Sequence, residues 1–275
     1  MKQVTWILEQ TKFANDFDST NRIGYLVQEL GHKVVTFPYI PFGGTDYSFI
    51  KEVENPCIFY GSYGGMKNLR NYLEINKCEA CPSIWYDDYN FSCLSYYEKL
   101  KPLIFQKQHE FLIFGKISKE IDRLCEKWQS DSIFLRPNLN FKSFTGNIIS
   151  KKDSAIWLKY LKNYNQLEDS ELCVAAKPQS IDGEWRFVVI NGEVISGSQY
   201  RDGITIDIRK EYPEEAWQVA EQAAKLWQTY PVFIIDICQS KDGFFVLEIG
   251  SWNFAGLYRC DLRKIVEEIN SLLLS

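Results

Sequence analysis

Apolar positions recur along this chain with two periods, and the balance between them shifts part-way. Val4-Thr5-Trp6-Ile7-Leu8 reads as a strand. Asp18-Ser19 then precedes Ile23, Leu26, Val27 and Leu30, which share one helical face, and Gly31 stands where such a helix stops. Residues 33–37 read as a second strand, so the chain opens as a β-α-β unit. Residues 57–60, a helix over 65–75 and a strand over 83–86 continue the alternation. Strands that alternate with helices predict a parallel sheet.

From 96 to 127 the pattern becomes mostly helical, with Ser118 as an expected N-cap before Ile121 and Leu124. Residues 132–135 predict a strand, 136–146 a polar loop, and 147–149 its return. Ser150-Lys151-Lys152-Asp153 has the serine-to-carboxylate spacing of a helix start. A strand is expected at 171–176. Two hairpins follow, separated by a helix that opens at Pro213-Glu214-Glu215, where proline suits the first turn and carboxylates suit the positive end of the dipole. A last helix covers 261–274. The class is therefore α/β with an α+β C-terminal half, divided near residue 100 into units 1–100 and 101–275.

Composition narrows the function. The chain has 275 residues, 45% of them hydrophobic, which suffices for one or two domains with real cores. A net charge of −5 with interleaved signs argues against bulk electrostatic binding of nucleic acid. No apolar run approaches the roughly 20 residues of a membrane span. Lys2 and Glu9 do not fit a secretory leader, and eight cysteines in a chain with a good core read as reduced thiols, so a cytoplasmic protein is expected.

The two hairpins carry the chemistry. Phe233–Ser240 and Phe244–Ile249 are joined by Lys241-Asp242-Gly243, and a three-residue turn there places Asp236 directly opposite Glu248. Directly opposed residues stand about 5 Å apart at Cβ. Two like charges in an apolar strand pair need neutralising, and Mg2+ does so by binding through one or two carboxylates with phosphate and water at its other positions. The alternative is that each carboxylate pairs with a lysine or arginine. In the other hairpin, Asn191-Gly192 joins 183–190 to 193–201. Its expected register pairs Arg186 with Gly197 and Glu184 with Gln199, and gathers Glu184, Arg186, Gln199 and Arg201 on one face. Two arginines beside a carboxylate suit phosphate or a substrate carboxylate; the alternative is a surface ion-pair cluster. Lys142 lies in the polar loop after Arg136-Pro137, where it and backbone donors could fold over phosphates.

These segments, in this order, resemble the ATP-grasp superfamily over about residues 134–258, in particular its short single-chain clade of bacteria and phages, whose members are predicted amide-forming ligases. Phe134-Leu135-Arg136-Pro137 resembles the strand that ends in a basic residue and proline ahead of the phosphate flap, here with Lys142 and Thr145-Gly146. Leu172 to Pro178, including Val174, Ala175, Ala176 and Lys177, resembles the strand leading into the adenine hinge, whose backbone reads the base. Gly183-Glu184-Trp185-Arg186 resembles the next strand with its Glu and Arg, Asp236 and Glu248 the two magnesium carboxylates, and Asn253 ahead of Gly256 the Asn-and-Gly ending. The chain departs from that pattern in three places. Arg136 replaces the commoner Lys, the flap holds a single glycine, and Gly250 stands where an asparagine is usual.

The resemblance implies an ATP-grasp fold with an N-terminal pre-ATP-grasp domain, a hinge near 172–183, and ATP and Mg2+ as cofactors. It also implies a carboxylate and an amine as substrates, joined through an acyl phosphate, with Arg136, Lys142 and Arg186 neutralising phosphoryl charge and Arg201 gripping the acyl phosphate or carboxylate. The resemblance leaves the acceptor open among a small metabolite, a peptide and a protein terminus. Two other functions use the same residues: an ATP-dependent phosphotransferase, and a nucleotide-binding module without catalysis. Cys78-Glu79-Ala80-Cys81 lacks the second pair that a zinc site needs. The turn Gly61-Ser62-Tyr63-Gly64-Gly65 follows a strand and suits a phosphate or carboxylate, as a wall of the substrate cleft. No Gly-x-Gly-x-x-Gly follows the first strand, so a dinucleotide is not expected. His32 and His109 stand apart and are read as non-catalytic.

Overall fold

The computed structural model describes residues 2–10, 19–41, 43–139, 143–165 and 167–275. Three sheets organise them. The first is parallel, built from β1 (Thr5–Glu9), β2 (Lys33–Phe37), β3 (Cys57–Tyr60) and the two-residue β4 (Pro82–Ser83), in the order β2-β1-β3-β4, with helices α1 (Ser19–Glu29) and α2 (Tyr63–Ile75) as crossovers. The expected strand at 83–86 is thus shorter and earlier. Trp85 and Tyr86 instead turn into the core.

A short helix α3 (Cys93–Lys99) leads to the second sheet, made of β5 (His109–Ile113), β6 (Ser132–Pro137), β7 (Asn147–Ser150) and β8 (Leu172–Ala176) in the order β5-β8-β6-β7. Helices α4 (Ile117–Trp128) and α5 (Ser154–Tyr164) cover one of its faces through Ile121, Leu124, Leu158 and Leu161. The helical expectation for 96–127 therefore misses β5, whose His109 and Phe111 ride against Tyr97 from the preceding helix. Ser118 is not a cap, because α4 starts one residue earlier, at Ile117, with Lys116 in the N-cap position. Arg136 and Pro137 belong to β6 rather than to the loop.

The third sheet holds β9 (Gly183–Ile190), β10 (Glu193–Asp202), β11 (Thr205–Arg209), β12 (Val232–Ser240) and β13 (Gly243–Ser251), ordered β11-β10-β9-β12-β13. Odd-numbered residues of β9 and β12, such as Phe187, Val189, Phe233 and Ile235, pack on the alanine face of α6 (Glu214–Leu226). On the opposite face, Val188, Ile190, Val232 and Ile234 share a core with Trp6, Ile58 and the last helix, α7 (Leu262–Leu274). That apolar cover ends before the even positions 184, 186 and 236, and the strip beyond it is where the buried charges sit.

Asn253 locks the first sheet onto the third. Its amide donates to the Phe59 and Ser83 carbonyls at 2.6 and 3.1 Å, and its carbonyl accepts the Trp85 N–H at 2.7 Å. The second sheet connects to the third through residues 177–182.

Candidate active site between two sheets

Both hairpins contain bulges, and these decide which charges meet. In β9–β10 the register shifts between Val194 and Ser196 and again between Gln199 and Arg201. Arg186 therefore faces Ser198, and Glu184 faces Arg201, in place of the expected Gly197 and Gln199. Gln199 now opposes Trp185 and leaves the charged face. In β12–β13 the turn is Lys241-Asp242, shorter than expected, with Gly243 at φ 117 opening β13. A bulge at Leu247 then restores the pairing of Asp236 with Glu248. Asp236 also opposes Arg186 across β9–β12. One row of the sheet therefore reads Ser198, Arg186, Asp236, Glu248.

Each carboxylate of that row has an arginine. Arg186 clasps Asp236 through two hydrogen bonds of 2.8 Å, from Nε and Nη2, while Nη1 donates to the Gly256 carbonyl at 2.9 Å. Burial opposes the Arg186 charge, but Asp236 outweighs it and drives the guanidinium pKa well above its usual value. Glu248 meets Arg136 at 3.3 Å, and Arg136 arrives from the second sheet, so this ion pair bridges the two sheets. Asp236 and Arg136 are 4% and 7% exposed, so both pairs are largely removed from water.

A second tier surrounds the first. Glu184 accepts a hydrogen bond from the Tyr200 hydroxyl, and Arg201 Nη1 lies 3.9 Å from its other oxygen. Burial pushes the Glu184 carboxyl up, against the pull of Tyr200 and Arg201. Tyr200 is the bulged residue of β10. It stacks on Tyr258 at 5.1 Å, and both rings lie within 5.6 Å of the Arg186 guanidinium. Neither tyrosine carried a sequence signal, because a bulge and a left-handed residue (Tyr258, φ 48) aim them. Phe134 and Ile148 were also missed as site residues. They oppose each other on β6–β7, on the face that carries Arg136, and Ile148 is 57% exposed, which leaves an apolar floor beside the arginine.

A family model for the ATP-grasp domain, R2K clade family 2, matches residues 116–267, more than half of the chain. The chain belongs to this ATP-grasp family. No curated protein matches by sequence. Among solved structures, the D-cycloserine synthetase DcsG superposes with a TM-score of 0.68 at 12% identity, covering 99% of this chain and 100% of that one. D-alanyl-alanine synthetase A from Vibrio cholerae gives 0.61 at 13% identity, covering 98% and 94%. The macrocyclase MdnC, bound with precursor peptide MdnA from Microcystis aeruginosa, gives 0.61 at 15% identity, covering 99% of both chains. At these identities the likeness is one of fold.

The ATP-grasp framework fixes where each expected residue falls. Arg136, Glu184, Arg186, Arg201, Asp236 and Glu248 converge. Asn253 does not belong with the metal ligands: both ends of its buried amide are engaged by β3, β4 and Trp85. Val174, Ala175 and Ala176 lie in β8, an interior strand paired with β5 and β6, so the ladder uses the backbone groups expected to read adenine. Lys177 N–H donates to the Gln108 carbonyl, and among the described residues unpaired hinge backbone begins at the Lys177 carbonyl. Those hinge residues line a pocket of about 460 Å3 with Lys107 and the β12–β13 turn.

At the flap, Lys142 lies outside the described residues. Thr145 accepts from the Asn147 amide, and Gly146 packs so closely that a Cβ there would stand 2.8 Å from the Phe134 ring. The Gly61–Gly65 turn holds the chain's own Glu9, leaving no slot for an outside anion. Among the described residues, no three His, Cys, Asp or Glu side chains gather as a metal-binding group. The two carboxylates of Asp236 and Glu248 still fit a magnesium ion, which takes as few as one or two protein oxygens when phosphates complete its shell.

Proposed function

We propose that this ATP-grasp protein is an ATP- and magnesium-dependent carboxylate–amine ligase that forms an amide or peptide bond through an acyl phosphate. The observation that carries the reading is a pair of neighbouring arginine–carboxylate bridges, Arg186–Asp236 within the third sheet and Arg136–Glu248 between the second sheet and the third. A triphosphate that arrives with its cation supplies a partner for every member at once: phosphate oxygens for Arg136 and Arg186, and the cation for Asp236 and Glu248. Each charged group keeps an opposite partner through the exchange, and so a site too buried to leave any charge unpaired can still open.

In this reading Asp236 and Glu248 hold the magnesium, which screens phosphate charge and polarises the γ-phosphoryl group when bound. Arg136 and Arg186 stabilise charge on the transferring phosphoryl oxygens, as expected where positioning and electrostatics supply most of the catalysis. A carboxylate oxygen attacks the γ-phosphorus, the bond to the β–γ bridging oxygen breaks, and ADP leaves. The amine then attacks the acyl carbon, phosphate departs, and the nitrogen loses a proton. Arg201, the half-exposed arginine, grips the carboxylate or acyl phosphate, and Lys142 joins it from the flap. The base lies over Phe134 and Ile148, with its edge toward the hinge backbone from Lys177 onward, and Glu184 sits within reach of the ribose side.

Closure of unit 101–275 about residues 172–183, with Thr145 and Gly146 at the flap base, excludes water from the acyl phosphate. The neighbours named for D-alanyl-alanine synthesis and for a precursor peptide support amino-acid or peptide substrates. All eight cysteines are free, which fits a reducing cytoplasm, and no helix among the described residues is long and apolar enough to cross a membrane.

The test is the affinity for ATP with and without magnesium, in the wild type and in an Asp236→Asn/Glu248→Gln double variant, followed by a search for amine-dependent ADP release. Magnesium-dependent binding that the folded variant lacks supports the site, and amine dependence separates a ligase from a phosphotransferase. Equal binding by both proteins refutes the proposal.

A further inference from the structure

The first sheet holds a pair of cysteines that the charged site does not use. Cys57 opens β3, and its Cα partner in the parallel ladder is Pro82, the first residue of β4. Cys81 precedes that partner by one residue. With strands about 4.8 Å apart and residues about 3.3 Å along, the two Cα atoms stand about 6 Å apart, inside the range of about 4.4–6.8 Å that a disulfide spans. One side chain draws the pair together. Asn55 Oδ1 accepts the Cys57 thiol at 3.2 Å and the Cys81 N–H at 3.1 Å, and Asn55 Nδ2 donates to the Glu79 carbonyl at 2.9 Å. Burial pushes the Cys57 thiol up to about 12, while the Cys81 N–H draws it down and a charge on the Cys81 sulfur pushes it up. Both groups of Cys81 therefore lie within reach of the Cys57 sulfur.

The two thiols differ as an attacking and a resolving thiol do. Cys81 is exposed and Cys57 is buried, so an oxidant in solvent meets Cys81 first. Cys78, the other cysteine of this neighbourhood, sits at the end of α2, where its N–H donates to the Leu73 carbonyl at 3.0 Å. The place that a bond from 57 to 81 would secure is thinly held. β4 lies at the sheet edge and pairs with β3 only through Cys57 with Pro82 and Ile58 with Ser83. Yet the Ser83 carbonyl and the Trp85 N–H that follow it are two of the groups that hold Asn253.

We propose that Cys57 and Cys81 form a reversible oxidation site, closing a disulfide that ties β3 to β4. The oxidant is itself a disulfide, such as glutathione disulfide. The Cys81 thiolate attacks one of its sulfurs, the S–S bond of the oxidant breaks, and the first glutathione leaves and takes up the Cys81 proton. The Cys57 sulfur then attacks the Cys81 sulfur, the mixed disulfide breaks, and the second glutathione leaves with the Cys57 proton. The two cysteines are oxidised, and one glutathione disulfide is reduced to two thiols. The site needs no nucleotide and is independent of the ligase reading.

The folded, full-length protein is incubated with glutathione disulfide, quenched by alkylation, and digested for mass spectrometry. In the wild type the peptides that hold Cys57 and Cys81 become joined, with the loss of two hydrogens, and dithiothreitol separates them. Cys78→Ser closes the same bond. Cys57→Ser stops at a glutathione adduct on Cys81, and Cys81→Ser leaves Cys57 reduced. Amide hydrogen exchange over residues 83–86 slows in the oxidised wild type. Should a variant fail to fold, the wild-type map and its exchange decide. A bond between Cys78 and Cys81, glutathione that stays on Cys81 without a cross-link, a wild type that remains reduced, or unchanged exchange at 83–86 overturns the proposal.

Discussion

Replacing Arg186 by methionine isolates the cost of an orphaned carboxylate at the centre of the site. The substitution keeps most of the apolar stem but removes two 2.8 Å hydrogen bonds from a carboxylate that is 4% exposed. Breaking a buried pair from one side costs about 3–5 kcal/mol, chiefly because the remaining charge loses its only compensation. At about 2–3 °C per kcal/mol for a chain of this size, melting falls by about 6–15 °C.

The reverse deletion is milder. In Asp236→Asn, Arg186 keeps its bond to the Gly256 carbonyl and its two tyrosine rings, so about 1–3 kcal/mol is expected. The double variant Arg186→Met/Asp236→Asn removes both charges and recovers much of the loss. Urea unfolding of the four proteins gives the coupling energy as a double-mutant cycle. The reasoning is refuted if Arg186→Met costs less than about 1 kcal/mol, or if the double variant is as unstable as Arg186→Met.

Other perturbations test separate parts of the site. Burial raises the Glu184 carboxyl above its ordinary 4.5, so the folded state binds that proton more tightly than the unfolded one. Its stabilising contribution is complete below 4.5 and is lost as pH rises through the higher folded-state value. Glu184→Gln does not titrate, so its melting temperature relative to wild type should climb from acid to neutral pH in scanning calorimetry; a flat difference refutes this. Asn253→Ala strips partners from two carbonyls and one N–H, and should cost about 3 kcal/mol or more in urea unfolding, at about 1–3 kcal/mol per buried group. Magnesium–ATP affinity of the folded fraction should persist, whereas its loss would return Asn253 to the metal ligands. Arg136→Lys keeps the charge but gives up the planar fork, and should lower ADP release by about tenfold while Arg136→Met lowers it further. Equal rates in the two variants would show that charge at this position contributes nothing.

The elements that a simple period describes were legible in the sequence. β1, α1, β2, β3 and the Asn191-Gly192 hairpin follow from short apolar runs, helical spacing and turn chemistry: β1, β3 and β9 are apolar because both faces are buried, and α1 buries one stripe. β5 was not legible. It is five residues long, half-buried, and follows a helix whose tyrosines obscure the change of period. β11 was missed because it has two apolar positions, Ile206 72% exposed and Ile208 only half-buried. The charged site was legible by residue type but not by contact. Six of the expected polar side chains do meet, yet the partners of Glu184 and Arg186 on β10 were each misplaced. Asn253 carries the chemistry of a metal ligand and does the work of a strut, and only the position of β3 and β4 distinguishes the two.

The bulges explain why register reasoning failed where it mattered. An extra residue leaves the ladder and re-aims its neighbours. Tyr200, one such residue, reaches Glu184 and stacks on Tyr258, which it would not do from a regular strand. Leu247, another, offsets a turn shorter than expected and so returns Glu248 to its place beside Asp236. The sequence rule for Asp236 and Glu248 reached the correct pair from the wrong turn, since two errors of one residue cancelled. That cancellation has a physical cause. The pairing is pinned by three strands at once, because Asp236 must oppose both Arg186 and Glu248, and any other register would bury a carboxylate without its arginine. The turn and the bulge can trade a residue between them, but the row of charges cannot shift.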